Sequence, residues 1–339
     1  MIPDRNRENW LAPKQLAQRI QRRRFLGLTS CLLASIHSTH LWARDDKEAS
    51  TVRLGLIADL HQDLVPDAAE RLDTFLEHSS QHQPHALIQL GDFATPIAKN
   101  KTVIDRFNAV DMPKFHVIGN HDTDGGLKIA QVVDNWGMKN RFYAEMVQGL
   151  KLIVLDGNDK PKDHRGGYPA HIAEDQLEWL SGELQHAGPM LILSHQPLAG
   201  PAAVDNATAV QKLLSAASDR ILLAINGHTH IDEFLEVGGV HYWHVNSASY
   251  HWVGSKYQHE SLPKELHAKY PAMINTCPYR DALFAFLEID LARGHLTLTG
   301  RQSAWLGPSP SDLGLANNPQ VTPEIRGREQ ELRHKISKY

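Results

Sequence analysis

The stretch Lys114-Phe115-His116-Val117-Ile118-Gly119-Asn120-His121-Asp122 decides how the chain is read. Its first half has the apolar content of a short buried strand. Gly119 then turns the chain, and three side chains that can bind a metal or move a proton arrive together. Alone, such a tetrapeptide makes turns and caps more often than sites. Four further polar clusters change its weight, because each also stands at the end of an apolar run: Asp59-Leu60-His61, Gly91-Asp92, His195, and Gly227-His228-Thr229-His230.

The runs between these clusters alternate in period. Residues 52–58 read as a strand ending at Asp59, and 66–82 as a helix with Ala69, Leu72, Phe75 and Leu76 on one face. Residues 85–90 form the next strand, and a helix over about 97–109 leads into the third. This rhythm predicts a mostly parallel sheet, and in such sheets sites form beyond the carboxyl ends of the strands. A short helix near 126–135 follows, then strands over 141–146 and 151–155 around a Gln148-Gly149 turn. The polar segment 156–168 is long enough to be a functional loop. A helix over 173–187 turns Leu177, Leu180 and Leu184 inward, and a strand over 189–193 ends at Ser194-His195. A helix over 207–217 and a strand over 221–225 lead to the Gly227 cluster. Beyond Phe234 the pattern becomes antiparallel, with strands at 234–237, 240–245, 283–289 and 296–299 and an irregular insert at 250–280. The end of the chain is rich in Pro, Gly and Asn and closes in a charged, helix-like run. There is no repeat and no second core, so one domain is expected over 51–302, with a C-terminal tail over 303–339.

The N-terminus reads separately. Residues 1–24 are polar and basic, and the apolar run from Phe25 to Ile36 is too short to span a bilayer but suits a signal peptide. Arg22-Arg23-Arg24-Phe25-Leu26 resembles the twin-arginine export signal, and Leu41-Trp42-Ala43 offers a cleavage site. Residues 1–43 are therefore expected to be a signal peptide handled by the twin-arginine translocase, with the mature protein periplasmic or otherwise extracytoplasmic. That leader holds seven Lys and Arg against two Asp and Glu; the rest holds 28 against 37, a charge of -9. An acidic body of this kind disfavours a stable nucleic-acid complex, though not a small phosphate ester held by metal ions. Of the two cysteines, Cys31 lies in the leader, which leaves Cys277 with no partner for an internal disulfide.

Asp59 and Asp92 are hard oxygen donors, Asn120 offers an amide oxygen, and His61, His195, His228 and His230 offer imidazole nitrogens. A mixed N/O set without thiolate suits Mn, Fe or Zn rather than Ca, and holds too much nitrogen for Mg. Seven side chains are too many for one ion, but with Asp92 shared they divide into two sites of four. Two ions about 3.5–4 Å apart form the clamp used for phosphoryl-ester hydrolysis.

The ordered set Asp59-x-His61, Gly91-Asp92, Gly119-Asn120-His121-Asp122, His195 and Gly227-His228-x-His230 resembles the signature of calcineurin-like metallophosphoesterases over about residues 52–302. The resemblance implies an α/β fold, a four-layer α/β/β/α sandwich of two mixed sheets flanked by helices. It implies that Asp59, His61, Asp92 and His230 hold one metal, and that Asp92, Asn120, His195 and His228 hold the other. His121 would face the phosphate or leaving group, and Asp122 would orient His121. The implied reaction is hydrolysis of a phosphoric ester by hydroxide held between the two ions. Thr95 stands where purple acid phosphatases carry a tyrosine ligand, and His61 is present where they lack one, so the pattern is closer to class III cyclic-nucleotide phosphodiesterases. That likeness favours a phosphodiester or nucleotide-type substrate; a phosphomonoester, or a non-catalytic metal-binding scaffold, are the alternatives.

Outside the signature the sequence leaves choices open. Arg165-Gly166-Gly167-Tyr168 reads either as a substrate contact, Arg for a second phosphate and Tyr for a base or sugar, or as a surface turn. Asn246-Ser247-Ala248-Ser249-Tyr250 reads as a piece of the site's rim or as plain core. His241, His244 and His251 read as core or surface residues rather than ligands.

Overall fold

Fourteen strands and six α-helices make up the computed structural model, which describes residues 50–332. The expected signal peptide lies outside the described residues. In chain order the strands are β1 (Thr51–Ile57), β2 (Ala86–Gln89), β3 (Lys114–His116), β4 (Tyr143–Val147), β5 (Leu150–Val154), β6 (Met190–Ser194) and β7 (Ile221–Asn226). They continue with β8 (Glu233–Val237), β9 (Val240–His244), β10 (Tyr250–Trp252), β11 (Thr276–Pro278), β12 (Ala285–Asp290), β13 (His295–Thr299) and β14 (Arg328–Glu331). The helices are α1 (Ala68–His82), α2 (Lys101–Asn108), α3 (Ile129–Trp136), α4 (Glu174–Glu183), α5 (Ala207–Ala216) and α6 (Lys264–Lys269).

Two six-stranded sheets result, ordered β14-β13-β12-β1-β2-β3 and β4-β5-β6-β7-β9-β8. Each is mixed. The strands β1–β2–β3 and β5–β6–β7–β9 are parallel, and the remaining pairs are antiparallel. Alternation along the strands sorts their side chains into layers. Ala86 and Ile88 of β2 join Leu54 and Leu56 of β1, Leu191 and Leu193 of β6 and Ile225 of β7 in the core between the sheets. Leu87, between them in sequence, faces outward with Leu72 and Phe75 of α1, Phe107 of α2 and Trp136 of α3. On the other sheet Ile153 and Ile192 face outward to Leu180 of α4 and Val210 and Leu214 of α5. The four layers are helices, sheet, sheet, helices. Strands covered on both faces explain why the sequence shows nearly unbroken apolar runs at β6 and β7.

The C-terminal segment departs from the expected tail. Residues 328–331 form strand β14, paired to β13, instead of a helix-like run. Ile325 and Leu332 enter the core between the sheets, and Arg328 donates to both oxygens of buried Asp232, at 2.9 and 2.7 Å. An outermost strand must stay soluble along its open edge, so it carries charges, Arg328-Glu329-Gln330-Glu331, that resemble a helix surface in sequence. The insert is also partly ordered: β10 and β11 pair as a two-stranded ribbon, and α6 lies between them in the chain.

Candidate metal centre

All the motif residues lie just beyond strand ends: Asp59 and His61 after β1, Asp92 after β2, Asn120 and His121 after β3, His195 after β6, His228 and His230 after β7. Among the described residues eight non-glycine residues have a left-handed backbone, and five of them are Asp59, His61, Asp92, His228 and His230, at φ between 49° and 70°. That conformation is costly for residues with a Cβ, and its concentration here marks loops shaped for the side chains they aim. Gly119 answers to the same crowding. A Cβ there would lie 2.2 Å from both the backbone nitrogen and Oδ1 of Asp92, so no other residue fits.

The side chains converge into two groups, Asp59/His61/His230 and Asp92/His195/His228, and within each group the donor atoms lie within 4.8 Å of one another. His230 Nε2 is 3.2 Å from Asp59 Oδ1, and His195 Nε2 is 3.2 Å from Asp92 Oδ2. Asp92 Oδ2 is also 3.9 Å from His61 Nε2, so this carboxylate stands between the groups as a shared ligand must. The backs of two imidazoles are tied to carbonyls: His195 Nδ1–H donates to Leu90 O and His230 Nδ1–H to Tyr250 O, both at 2.8 Å. Their Nε2 atoms therefore point into the site, the orientation that a metal ligand needs. Asn120 Oδ1 is buried and accepts no hydrogen bond. A buried acceptor without a donor is costly, and a cation satisfies it.

The electrostatics agree. Burial works to raise the Asp92 carboxyl, but His195, His121 and His61 hold it well below the usual carboxylate range. Burial pushes His61 down to about 3 and His228 to about 4, so both imidazoles are neutral and free to coordinate. Burial opposes a charge on His195 too, yet Asp92 and Asp59 push it up to about 10. Two buried carboxylates draw positive charge onto the nearest base, the role a divalent ion fills. The residues present fit a pair of such ions, with a donor set suited to Mn, Fe or Zn.

The expectation for Asp122 is corrected. Its carboxylate accepts N–H groups from Asp92 (3.1 Å), Phe93 (3.1 Å), Ala94 (3.3 Å) and Gly119 (2.8 Å). It ties the loop after β2 to the loop after β3. Burial and the charge of Asp92 push it up to about 7, against the pull of those donors. The carboxylate at His121 is Asp124, whose Oδ2 lies 2.8 Å from His121 Nδ1. Tyr168 joins them, with its hydroxyl 2.7 Å from Asp124 Oδ1 and 3.1 Å from His121 Nδ1. Burial opposes a charge on His121, but Asp92 and Asp124 together raise it above the ordinary imidazole range.

Tyr168 thus reaches the site, while Arg165 is exposed and lines a cleft with His164, His171 and Asp205. The stretch 246–250 is buried support, not rim. Ser247 Oγ donates to Asp59 O at 2.9 Å, Ser249 Oγ donates to Leu60 O at 2.8 Å, and the Tyr250 ring stacks on His61 with centroids 5.0 Å apart. His244 and His251 are buried outside the two groups, and His251 Nδ1–H donates to His230 O at 2.9 Å behind the ligand. Asp124 is the carboxylate beside His121 that the sequence reading missed. Its one signal is the Gly125-Gly126 pair that follows and breaks the turn.

The family model for calcineurin-like phosphoesterases matches residues 52–232. The chain belongs to this family, which together with the two donor groups supports a metal-dependent phosphoesterase. A dimetal phosphatase from Danio rerio is 17% identical, covering 74% of this chain and 96% of its own, with a TM-score of 0.51. GAP50, the anchor in the inner membrane complex of Plasmodium, is 14% identical, covering 84% of this chain and 89% of its own, with a TM-score of 0.52. Both likenesses concern the fold alone. No curated protein matches the sequence.

Proposed function

We propose that the chain is an exported phosphoesterase that binds two divalent transition-metal ions and hydrolyses a small phosphodiester or nucleotide-type substrate. The observation that carries this reading is the convergence of a complete donor set on one strained strand-end site, with Asp92 between its halves. Asp59, His61, Asp92 and His230 would hold one ion, and Asp92, Asn120, His195 and His228 the other. When bound, such a pair neutralises phosphate charge and lowers the pKa of a water, which makes hydroxide available near neutral pH.

The chain's own residues supply the rest. Asp92 Oδ1 accepts the backbone N–H of His121 at 2.7 Å, which fixes His121 against the site. Asp92 and Asp124 raise His121 above its ordinary value, which favours the protonated form that a general acid for the departing ester oxygen needs. His61 in the Asp-x-His motif, and Thr95 in place of a tyrosine ligand, favour the diesterase branch. The acidic charge of the body disfavours duplex DNA as the substrate.

The second reading is a metal-binding scaffold on the same fold. The unbroken ligand set, with His121 in place beside it, favours catalysis. The discriminating experiment is hydrolysis of nitrophenyl phosphate monoester and bis-nitrophenyl diester by manganese-reconstituted protein. Turnover faster on the diester is expected; faster turnover of the monoester overturns the substrate preference, and turnover of neither favours the scaffold. Export is tested separately. Replacing Arg22 and Arg23 by Lys should keep the protein in the cytoplasmic fraction, and export that persists would exclude the twin-arginine route.

A further inference from the structure

His121 sits between two rings. One edge packs against His61, with centroids 5.2 Å apart, and the other against Tyr168, with centroids 4.7 Å apart. With the two polar groups behind it, Asp124 and Tyr168, it forms a closed set whose protons can be assigned. Asp124 is acceptor-only when ionised, so the Tyr168 hydroxyl donates to Asp124 Oδ1 at 2.7 Å. The Tyr168 oxygen then faces His121 Nδ1 with a lone pair, at 3.1 Å, beside Asp124 Oδ2 at 2.8 Å. Both neighbours of Nδ1 are acceptors, so Nδ1 carries a proton. Nε2 makes no hydrogen bond among the described residues and is the nitrogen left for substrate.

Local backbone builds this contact. His121 and Asp124 lie in one 3-10 turn, but Asp124 itself is extended (φ -59°, ψ 160°) and Gly125 is left-handed (φ 73°). Side chains at i and i+3 of a 3-10 turn eclipse, so the Asp124 carboxylate falls onto His121, and the break at Asp124 and Gly125 ends the turn there. Tyr168 arrives on a different segment, the 156–171 loop, and the chain just after it is pinned. His171 N–H donates to Gly157 O at 2.9 Å, and Asp205 N–H donates to Ala170 O at 2.6 Å. Gln196, next to His195, donates to Asn158 Oδ1 at 2.9 Å in the same loop. The loop base is thus fixed to the metal-centre segment, and about half of the Tyr168 surface is exposed, 49%.

We propose that Tyr168, carried by the 156–171 loop, is a positioning residue for His121, locking through its hydroxyl the Asp124 carboxylate that holds the Nδ1–H tautomer. The kinetic consequence rests on the phosphoesterase reading; the tautomer assignment does not. The proton handed to the departing oxygen is the one on Nε2, and the one on Nδ1 stays with Asp124 throughout. Neither Asp124 nor Tyr168 touches the reacting atoms, and each acts through the imidazole.

The test has two arms on the metal-loaded protein. In the first, zinc-loaded protein is examined by proton–nitrogen NMR of imidazole groups, with the His121 Nδ1–H signal identified by its loss in His121→Ala. That signal should be lost in Asp124→Ala and shifted in Tyr168→Phe. An unchanged signal in Asp124→Ala overturns the proposal whether or not any ester is hydrolysed. In the second, the manganese enzyme is assayed on phenyl and nitrophenyl phosphate esters. Asp124→Asn should slow the phenyl ester by about 10²-fold, the lower end of a general-acid contribution, and Tyr168→Phe by roughly 3–10-fold. Both variants should keep wild-type metal content, and both should lose less on the nitrophenyl ester, whose leaving group needs no acid. The double variant should match Asp124→Asn alone, because Tyr168 works through that carboxylate. Losses that simply multiply, or that are equal on both esters, overturn it. If the wild type turns over neither ester, the phosphoesterase reading fails, and the NMR arm alone decides the pair.

Discussion

The two sheets bring different chemistry to one centre. The loops after β1, β2 and β3 supply every oxygen donor, Asp59, Asp92 and Asn120, together with His61. The loops after β6 and β7 supply imidazoles only, His195, His228 and His230. Yet each side holds the other's ligands. Asp59, from the first sheet, accepts the backbone N–H of His228 at 3.1 and 3.0 Å. His195, from the second, donates to Leu90 O of the first at 2.8 Å. The difference in donors puts both carboxylates on one side and only imidazoles on the other. The exchange of hydrogen bonds means that neither half is shaped until the sheets pack.

Asp92 belongs to both halves, and removing it should have the largest effect. Asp92→Ala removes the shared carboxylate and leaves the His195 nitrogen without its partner at 3.2 Å. Bound metal should fall below two ions per chain, and turnover should fall by at least the ~10²–10⁴-fold typical of losing a proton-transfer group. Metal analysis beside a rate assay checks this. Two ions retained at full occupancy would show that Asp92 is not shared.

The next contrast lies within one turn of the oxygen half. Asn120 offers a buried, unpartnered oxygen, whereas neighbouring His121 is held through its Nδ1 by Asp124. Asn120→Ala should lower both metal content and rate. His121→Ala should keep both ions and slow hydrolysis by roughly 10²–10⁴-fold on an ester with a poor leaving group, and by less on a nitrophenyl ester. A His121→Ala protein that loses an ion would move His121 into the ligand set.

The placement of the ligands at strand ends was legible in the sequence, whereas the division into two sheets came only with the family resemblance. The parallel strands carried unbroken apolar runs, and a ligand at each strand end breaks such a run visibly. Asn120 and His121 were readable because a Gly-initiated turn places adjacent side chains at one site. Asp124 was not readable as the partner of His121, because Asp122 is nearer in sequence and has the same chemistry. The i,i+3 spacing that stacks Asp124 on His121 counts only once the segment forms a 3-10 turn. The Tyr250 contribution was hidden for another reason: its backbone carbonyl, which any residue possesses, holds His230. Strand β14 was misread because a charged edge strand and a helix surface share a composition.

The smallest expected effect concerns two histidines outside the ligand set, one in each sheet. His116 of β3 packs against Phe107 and Trp136, and Gln89 Nε2 donates to its Nδ1 at 3.4 Å. His244 of β9 accepts from Thr229 Oγ1 at 3.2 Å, and its Nε2–H donates to Ala199 O at 3.0 Å. Burial, with Lys114 adding to it, pushes His116 down to about 3; burial, partly offset by the Ala199 carbonyl, pushes His244 to about 4. Both are therefore neutral when folded. Below pH 6.5 the unfolded chain takes up protons that the folded chain refuses, so stability that is full above 6.5 falls as the pH drops. Each site contributes up to ~1.4 kcal/mol per pH unit, ending near pH 4 for His244 and near pH 3 for His116. Urea unfolding at pH 7.5, 6 and 5, with a chelator present so that metal release does not enter, should show a steep acid slope in the wild type. His116→Gln and His244→Gln should each flatten it. Equal flattening would mean that each sheet owes its acid sensitivity to one buried neutral imidazole. If only His244→Gln flattens the slope, the imidazole half alone is the acid-sensitive one, and identical slopes in all three proteins would show that neither histidine is held neutral by the fold.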